Sequence, residues 1–87
     1  NLNKYFTIIC KDPKSIAKFI TEKLNRSATI FDAKGAFTDQ DKKIILAVMN
    51  RPQAVQLREF IKETDSDVFL LITNTSEIIG RGFRGLS

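Results

Sequence analysis

Two glycine-containing segments hold the residue types best suited to binding a ligand. They are Lys34-Gly35-Ala36-Phe37-Thr38 and Glu77-Ile78-Ile79-Gly80-Arg81-Gly82-Phe83. Glycine lets another group approach the main chain closely, and backbone N–H groups beside a cation suit an anion such as a phosphate. The candidate ligand-binding residues are Lys34, Gly35, Phe37, Thr38, Glu77, Gly80, Arg81, Gly82 and Phe83.

Other interpretations of these segments are weaker. Gly80-x-Gly82 is not a dinucleotide fingerprint, because no helix is predicted to follow it. Lys34-Gly35 and Arg81-Gly82-Phe83 resemble the start of an RNA-recognition signature, which belongs on a central strand with exposed aromatic residues. Here one lies in a predicted hairpin and the other after the last predicted strand, so we do not expect nucleic-acid binding. A terminal segment that binds no ligand remains an alternative.

The sequence does not provide a recognisable catalytic or metal site. It contains no histidine and one cysteine, which excludes Ser-His, Cys-His and His-metal sets. Cys10 lies in an apolar run and is predicted to be a buried, inert thiol. Asp39, Asp41, Asp65 and Asp67 lie in predicted turns, where aspartate bonds nearby backbone amides; an oxygen-ligated cation site is the alternative. We therefore expect no enzymatic activity, no cofactor and no metal.

Composition predicts one small folded domain. The chain has 87 residues, 43% of them hydrophobic, and a net charge of +4. The basic residues are scattered, which favours a mixed solvated surface over a nucleic-acid or anionic membrane surface. No apolar run approaches the roughly 20 residues of a membrane helix, and a single cysteine fits a reducing compartment. Because the chain begins with Asn1, we expect it to be a domain of a longer protein.

The element order predicts the fold class. Strand-like and helix-like patterns alternate as β-α-β-β-α-β, which is the ferredoxin-like arrangement of the α+β class. It places two helices on one face of a four-stranded antiparallel sheet. The predicted strands are Tyr5–Cys10, Ser27–Ala33, Lys43–Met49 and Val68–Thr73; the helices begin at Asp12-Pro13 and Asn50-Arg51-Pro52, and Ile78 and Ile79 form a short fifth strand in a C-terminal extension.

The strands are apolar on both faces, which a monomer with one wet face would not need. In the third strand Ile44, Leu46 and Val48 point one way, whereas Ile45, Ala47 and Met49 point the other. Several hundred Å² of exposed apolar surface would be unusual for a soluble monomer. We therefore predict a homo-oligomer, a dimer or a trimer, that buries the second face.

A set of segments spread over most of the chain matches one known family. These segments are Ala28-Thr29-Ile30, Lys34-Gly35-Ala36-Phe37-Thr38, Lys42-Lys43, Leu57, Ile61, Asp65, Asp67-Val68-Phe69 and Ser76-Glu77-Ile78-Ile79-Gly80-Arg81-Gly82-Phe83. Through them the chain resembles, from about residue 20 to residue 84, the soluble C-terminal domain of YitT-type bacterial membrane proteins. Three departures stand out: Phe37 replaces a usual tyrosine, Ser27 a usual glycine, and Arg81 an often acidic residue.

The resemblance implies a domain of uncharacterised function on the cytoplasmic side of a multi-pass membrane protein, with PII-like architecture. PII-like signalling proteins are commonly trimers that bind nucleotides between subunits near a hairpin loop. The sequence thus favours a regulatory small-ligand module, with a structural oligomerisation domain without a ligand as the alternative.

Overall fold

A computed structural model of the chain describes residues 3–64 and 67–75. It confirms the predicted element order and the α+β class. The elements are β1 (Asn3–Cys10), α1 (Lys14–Lys18) continued by a π-helical turn (Phe19–Lys23), β2 (Ala28–Lys34), β3 (Asp41–Met49), α2 (Arg51–Thr64) and β4 (Phe69–Thr75). The predicted fifth strand at Ile78 and Ile79 lies outside the described residues.

The four strands form one antiparallel sheet in the order β2-β3-β1-β4. This is the ferredoxin-like order, in which β1 and β3 are central. The pair Cys10 and Lys43 ends the β1–β3 ladder, so β3 continues two residues further, paired with β2 alone. The β2–β3 hairpin therefore extends beyond the neighbouring strand β1.

The core lies between the helices and one face of the sheet. Both helices contribute residues at helical spacing, and β1 and β3 contribute alternate residues, as the periodicity predicted. Cys10 is buried in this core, as predicted. The buried residues are Phe6, Ile8, Cys10, Ile16, Ile20, Leu24, Ile45, Ala47, Met49, Ala54, Leu57 and Ile61.

Both helices begin at the predicted proline-containing segments, and at each start a side chain accepts a backbone N–H. α1 begins at Lys14, after Pro13, and the Asp12 carboxylate accepts the Lys14 N–H at 3.0 Å. α2 begins at Arg51 with a reciprocal capping box. Asn50 N–H donates to Gln53 Oε1 at 2.9 Å, and Gln53 N–H donates to Asn50 Oδ1 at 3.0 Å.

The two helices are fixed to each other at their interface. Gln53 Nε2 donates to the Leu24 carbonyl at 3.0 Å, which satisfies an acceptor at the end of the first helix. The rings of Phe19 and Phe60 stack with centroids 4.2 Å apart. The two helices thus contact each other where they cover one face of the sheet.

Candidate functional site: the hairpin and the open face of the sheet

The β2–β3 loop, residues 35–40, is closed by its own backbone. Gly35 N–H donates to the Gln40 carbonyl at 2.9 Å, and Asp39 N–H donates to the Gly35 carbonyl at 2.7 Å. Asp39 has φ of 59°, a left-handed conformation that aspartate tolerates better than most residues. These bonds hold Ala36, Phe37 and Thr38 on a short, defined turn.

Another group approaches the main chain of Gly35 closely, as predicted for this glycine. That group belongs to the loop itself and is not a ligand. A Cβ placed on Gly35 would lie 2.9 Å from Thr38 Oγ1, which is closer than real Cβ contacts. The same oxygen lies 3.4 Å from the Gln40 N–H that donates to it. Glycine at position 35 therefore lets the Thr38 hydroxyl turn back over the loop.

Phe37 stands at the tip of this loop with its side chain fully exposed, at 101%. Exposing an aromatic ring to water is unfavourable, and at this position the ring adds nothing to the core that would offset the cost. The ring is available for a ligand or a partner surface.

The hairpin has one polar side, where opposite charges face each other across the strands. Lys34 Nζ lies 3.6 Å from Asp41 Oδ1, and Lys43 Nζ donates a hydrogen bond to Asp32 Oδ1. The hydrogen bond and charge of Asp32 raise the pKa of Lys43 above its ordinary 10.5. Asp41 thus lies in β3 and pairs with Lys34, which corrects its prediction as a turn residue. Lys34 is the last residue of β2 and not a loop residue.

Lys42 projects to the other side of the same hairpin. It stands opposite Ala33 in the register and shares its face with Ile44, Leu46 and Val48. Its Cε lies 3.9 Å from the position of a Cβ on Gly35. Among the described residues it has neither an ion pair nor a side-chain hydrogen bond. Lys42 is not among the site residues predicted from the sequence. Its two-residue spacing from Ile44 does, however, place it on the same face of the strand.

A cavity of about 180 Å³ opens on the flank of the hairpin. Lys42 lines it together with Ala33 and with charged residues that are already paired, Asp32, Asp41 and Lys43. Among the charged residues that line the cavity, Lys42 is therefore the one that is not paired with a residue of opposite charge.

The face of the sheet opposite the helices, here called the open face, is largely apolar. Phe69 is 57% exposed and Leu71 is 50% exposed on β4, and Tyr5 and Phe31 are also exposed. The predicted two-faced alternation of the strands is confirmed. The open-face residues are Asn3, Tyr5, Thr7, Ile9, Thr29, Phe31, Ala33, Lys42, Ile44, Leu46, Val48, Phe69, Leu71, Thr73 and Thr75.

The described residues contain one of the two segments of the predicted site. Lys34, Gly35, Phe37 and Thr38 lie in one hairpin at one end of the sheet. The other segment, with Glu77, Gly80, Arg81, Gly82 and Phe83, lies outside the described residues. The last described residue, Thr75, pairs with Asn3 at the opposite end of the sheet from the hairpin.

The helices of the described ranges are all too short, or too polar, to cross a membrane. The longest, α2, has 14 residues.

Comparison with known sequences places the chain in a bacterial group. Residues 26–80 match a family described as an uncharacterised protein conserved in bacteria, DUF2179. The chain is 34% identical to the UPF0750 membrane protein YdeO of Bacillus subtilis over 85 residues, 98% of this chain and 29% of that protein. It is 34% identical to YitT of the same organism over 73 residues, 84% of this chain and 26% of that protein. The chain thus spans less than a third of these relatives.

Solved structures share the fold. A DUF2179 protein from Eubacterium ventriosum is 26% identical, with a TM-score of 0.69 over 84% of this chain and all of that one. A putative PII-like signalling protein from Thermus thermophilus has a TM-score of 0.70 at 15% identity, over 85% of this chain and 86% of that one. CPII from Thiomonas intermedia, a nitrogen regulatory PII-like protein, scores 0.59 at 20% identity, over 91% and 98% of the two chains. The predicted resemblance to YitT-type proteins and to PII-like architecture is confirmed.

Proposed function

The chain belongs to the DUF2179 family, and from that premise we propose that it is a non-catalytic regulatory domain that binds a small anionic ligand. Nucleotides are the ligand class to test first. The observation that carries the proposal is the β2–β3 hairpin. Its hydrogen-bonded loop presents the exposed Phe37 ring and the Thr38 hydroxyl beside an uncovered apolar face.

The hairpin chemistry suits a molecule with a flat ring and an anionic group. An exposed aromatic side chain offers a stacking surface to a nucleobase, at about 1–3 kcal/mol per base in nucleic-acid complexes. Lysine ammonium groups and free backbone amides offer hydrogen bonds to phosphate oxygens. A mononucleotide combines both parts in one small ligand.

The fold relatives support the ligand class by analogy. The structure of CPII is described as bound to ADP, AMP and bicarbonate, at 20% identity to this chain. At that identity the likeness concerns the fold, and fold does not determine function. We propose a nucleotide for this chain because the hairpin residues fit one.

The open face supports a homo-oligomer, a dimer or a trimer. Covering several hundred Å² of apolar surface at about 25 cal/mol per Å² stabilises by about 10 kcal/mol before association costs. A second copy is the partner we propose for this face, because the described part of the face is largely apolar, as the buried face is.

Two copies would also explain how the two predicted segments form one site. The end of β4 and the β2–β3 loop are separated by about nine strand positions, or about 30 Å along the sheet. Five residues, the distance in sequence from Thr75 to Gly80, span at most about 18 Å. Gly80 therefore cannot reach the hairpin of its own chain directly, which favours a ligand site between two chains.

The proposal that the domain belongs to a membrane protein rests on its relatives. YdeO and YitT are membrane proteins, and the chain matches less than a third of each. We propose that the domain belongs to such a protein and lies on the cytoplasmic side of the bacterial plasma membrane. There, ligand binding would bias the membrane-embedded part.

Thermal shift and calorimetry against ATP, ADP, AMP and cyclic dinucleotides test the proposal. At least one should raise the melting temperature of the 87-residue chain. Phe37→Ala should reduce this increase without lowering the melting temperature of the unliganded chain, because the ring has no buried surface to lose. Val55→Ala, which removes an exposed apolar side chain from α2, is the matched control and should leave the increase unchanged. No response to any compound at millimolar concentration would contradict the proposal.

The second candidate function is a structural oligomerisation domain without a small ligand. The apolar open face favours it, because that face needs a covering whether or not the hairpin binds anything. This alternative predicts a stable oligomer whose melting temperature is the same with every compound in the panel.

A further inference from the structure

Lys42 is the one charged side chain on the described part of the open face. The other fourteen residues of that face are apolar, hydroxyl-bearing or amide side chains. The remaining charged residues of the described strands point to the helix side: Lys4, Asp32, Lys34, Asp41 and Lys43. The sheet therefore separates its charges, with one lysine left among apolar neighbours.

The neighbouring charges do not neutralise Lys42. Asp41 lies within 3.6 Å of Lys34, and Asp32 accepts a hydrogen bond from Lys43, both on the opposite side of the hairpin. Asp39 is the nearest remaining carboxylate in sequence, and no ion pair within 4.0 Å joins it to Lys42. The half-buried Lys42 stem folds against Gly35 at the base of the loop.

Covering the open face would take water away from this ammonium group. A desolvated charge is strongly destabilising unless an anion and hydrogen bonds replace the water. A second copy packed through the same face brings no carboxylate within the described residues, because that part of the face has none. Since the described residues supply no such carboxylate, a bound small molecule is the source that we consider for the anion that balances Lys42.

We propose that Lys42 is the residue that binds the anionic group of the ligand, a phosphate in the case of a nucleotide, with Phe37 and Thr38 on the same loop. This rests on the proposed function. It differs from the expectation for Lys34, which the structure pairs with Asp41 on the other side of the hairpin. A charge-assisted hydrogen bond of this kind corresponds to a change in affinity of about 10-fold to 100-fold.

Three single substitutions in the hairpin separate this role from a general charge effect. Lys42→Gln and Lys34→Gln remove the same charge from opposite sides of one hairpin. Asp39→Asn removes a negative charge from the loop. Calorimetry with ADP and adenosine, which differ by the phosphates, measures how much of the affinity depends on the anion.

The expected result is that wild type prefers ADP to adenosine, and that Lys42→Gln loses this preference by about 10-fold or more. Lys34→Gln should lose it by less than about threefold and Asp39→Asn should strengthen ADP binding slightly, because screened surface charges act weakly. Equal losses in Lys42→Gln and Lys34→Gln, or a preference for ADP that Lys42→Gln retains, would overturn the assignment.

Pyrophosphate alone distinguishes failure of this inference from failure of the proposed function. In amide NMR spectra of the chain, pyrophosphate should shift the Gly35 to Lys42 signals in wild type and not in Lys42→Gln. If ADP does not bind but these shifts appear, the nucleotide proposal fails and the anion site at Lys42 stands. If Lys42→Gln shows the same shifts as wild type, or if wild type shows none, the assignment to Lys42 fails.

Discussion

The two faces of one sheet have similar side chains and different surroundings. On the helix side, Ile8, Ile45 and Met49 are completely buried beneath α1 and α2. On the open side, Leu71 is 50% exposed and Phe69 is 57% exposed. The covered face keeps its charged residues near the ends of the strands, where Lys34 pairs with Asp41, Lys43 pairs with Asp32 and Lys4 donates to the Asn74 side-chain oxygen. The open face carries Lys42 alone among the described residues.

The helices of the chain cover one face of the sheet, and we propose that a second covering, from outside the chain, buries the other. In a monomer, strands that alternate apolar and polar residues, with the apolar ones on a single face, would have been enough. A second apolar face is kept at a cost in solubility and exposure to aggregation, and burial against another surface removes that cost. Self-association and ligand binding are the two uses proposed here for the open side.

The largest expected effect is a core truncation under the helices. Leu57→Ala removes a completely buried side chain of α2 and should lower the free energy of unfolding by about 2–5 kcal/mol. Leu71→Ala removes a side chain of the same type from the open face and should cost less, measured at protein concentrations too low for association. Urea denaturation monitored by circular dichroism measures both. Equal losses would mean that the open face is as well packed within one chain as the covered face.

A charge on the open face should act on association. Leu71→Asp should weaken self-association by about 100-fold or more, because it places an unpaired carboxylate on an apolar contact surface. Val55→Asp makes the same change at a 43% exposed position of α2 and should leave the oligomer intact. Sedimentation velocity over a range of concentrations measures both. If the two variants dissociate equally, or neither does, the open face is not the contact surface.

The cover itself depends on the capping box of α2. Asn50→Ala removes the oxygen that accepts the Gln53 N–H and should destabilise the chain by about 1 kcal/mol. Asn50→Asp keeps an acceptor and should be close to wild type. Thermal denaturation at one protein concentration compares the three. A loss in Asn50→Asp as large as in Asn50→Ala would show that the side-chain acceptor is not what matters.

The smallest effect concerns the paired side of the hairpin. Because Asp32 raises the pKa of Lys43 in the folded chain above 10.5, the charged form is favoured by folding. The contribution is complete below about pH 10.5 and is lost as the pH rises through the raised folded value. The stability difference between wild type and Lys43→Met should therefore be constant from about pH 7 to about pH 10 and shrink above it. Salt should reduce the same difference, because the pair is exposed. A difference that grows at high pH would contradict the pairing.

Much of this fold could be predicted from the sequence because its signals are local. The alternation of Ile44 to Met49 gave both faces of β3, and the helical spacing of Ile16, Ile20 and Leu24 gave the buried side of the first helix. Gly35 marked the hairpin. These patterns act through side-chain periodicity, which can be read along a single segment.

The features that could not be predicted from the sequence depend on contacts between segments. The π-helical turn at Phe19–Lys23 ends at Leu24 and is followed by Asn25 in the left-handed conformation, with Arg26 N–H bonded to the Ile20 carbonyl. Asparagine favours the left-handed conformation at a helix end, but the residue types of this segment do not predict the π-helical turn. The pairing of Lys34 with Asp41 follows from the register of two strands, and that register leaves Lys42 without a partner among the described residues. The register therefore favours Lys42 as the candidate lysine, whereas the sequence predicted Lys34.

The most direct test of the two-covering account is the mass of the 87-residue chain in solution. Light scattering coupled to size exclusion, at micromolar concentration, should give two or three times the 9.9 kDa of one chain. Leu71→Asp should reduce this mass toward that of a single chain, and Val55→Asp should not. A wild-type mass equal to one chain, in a sample that circular dichroism shows to be folded, would contradict the account.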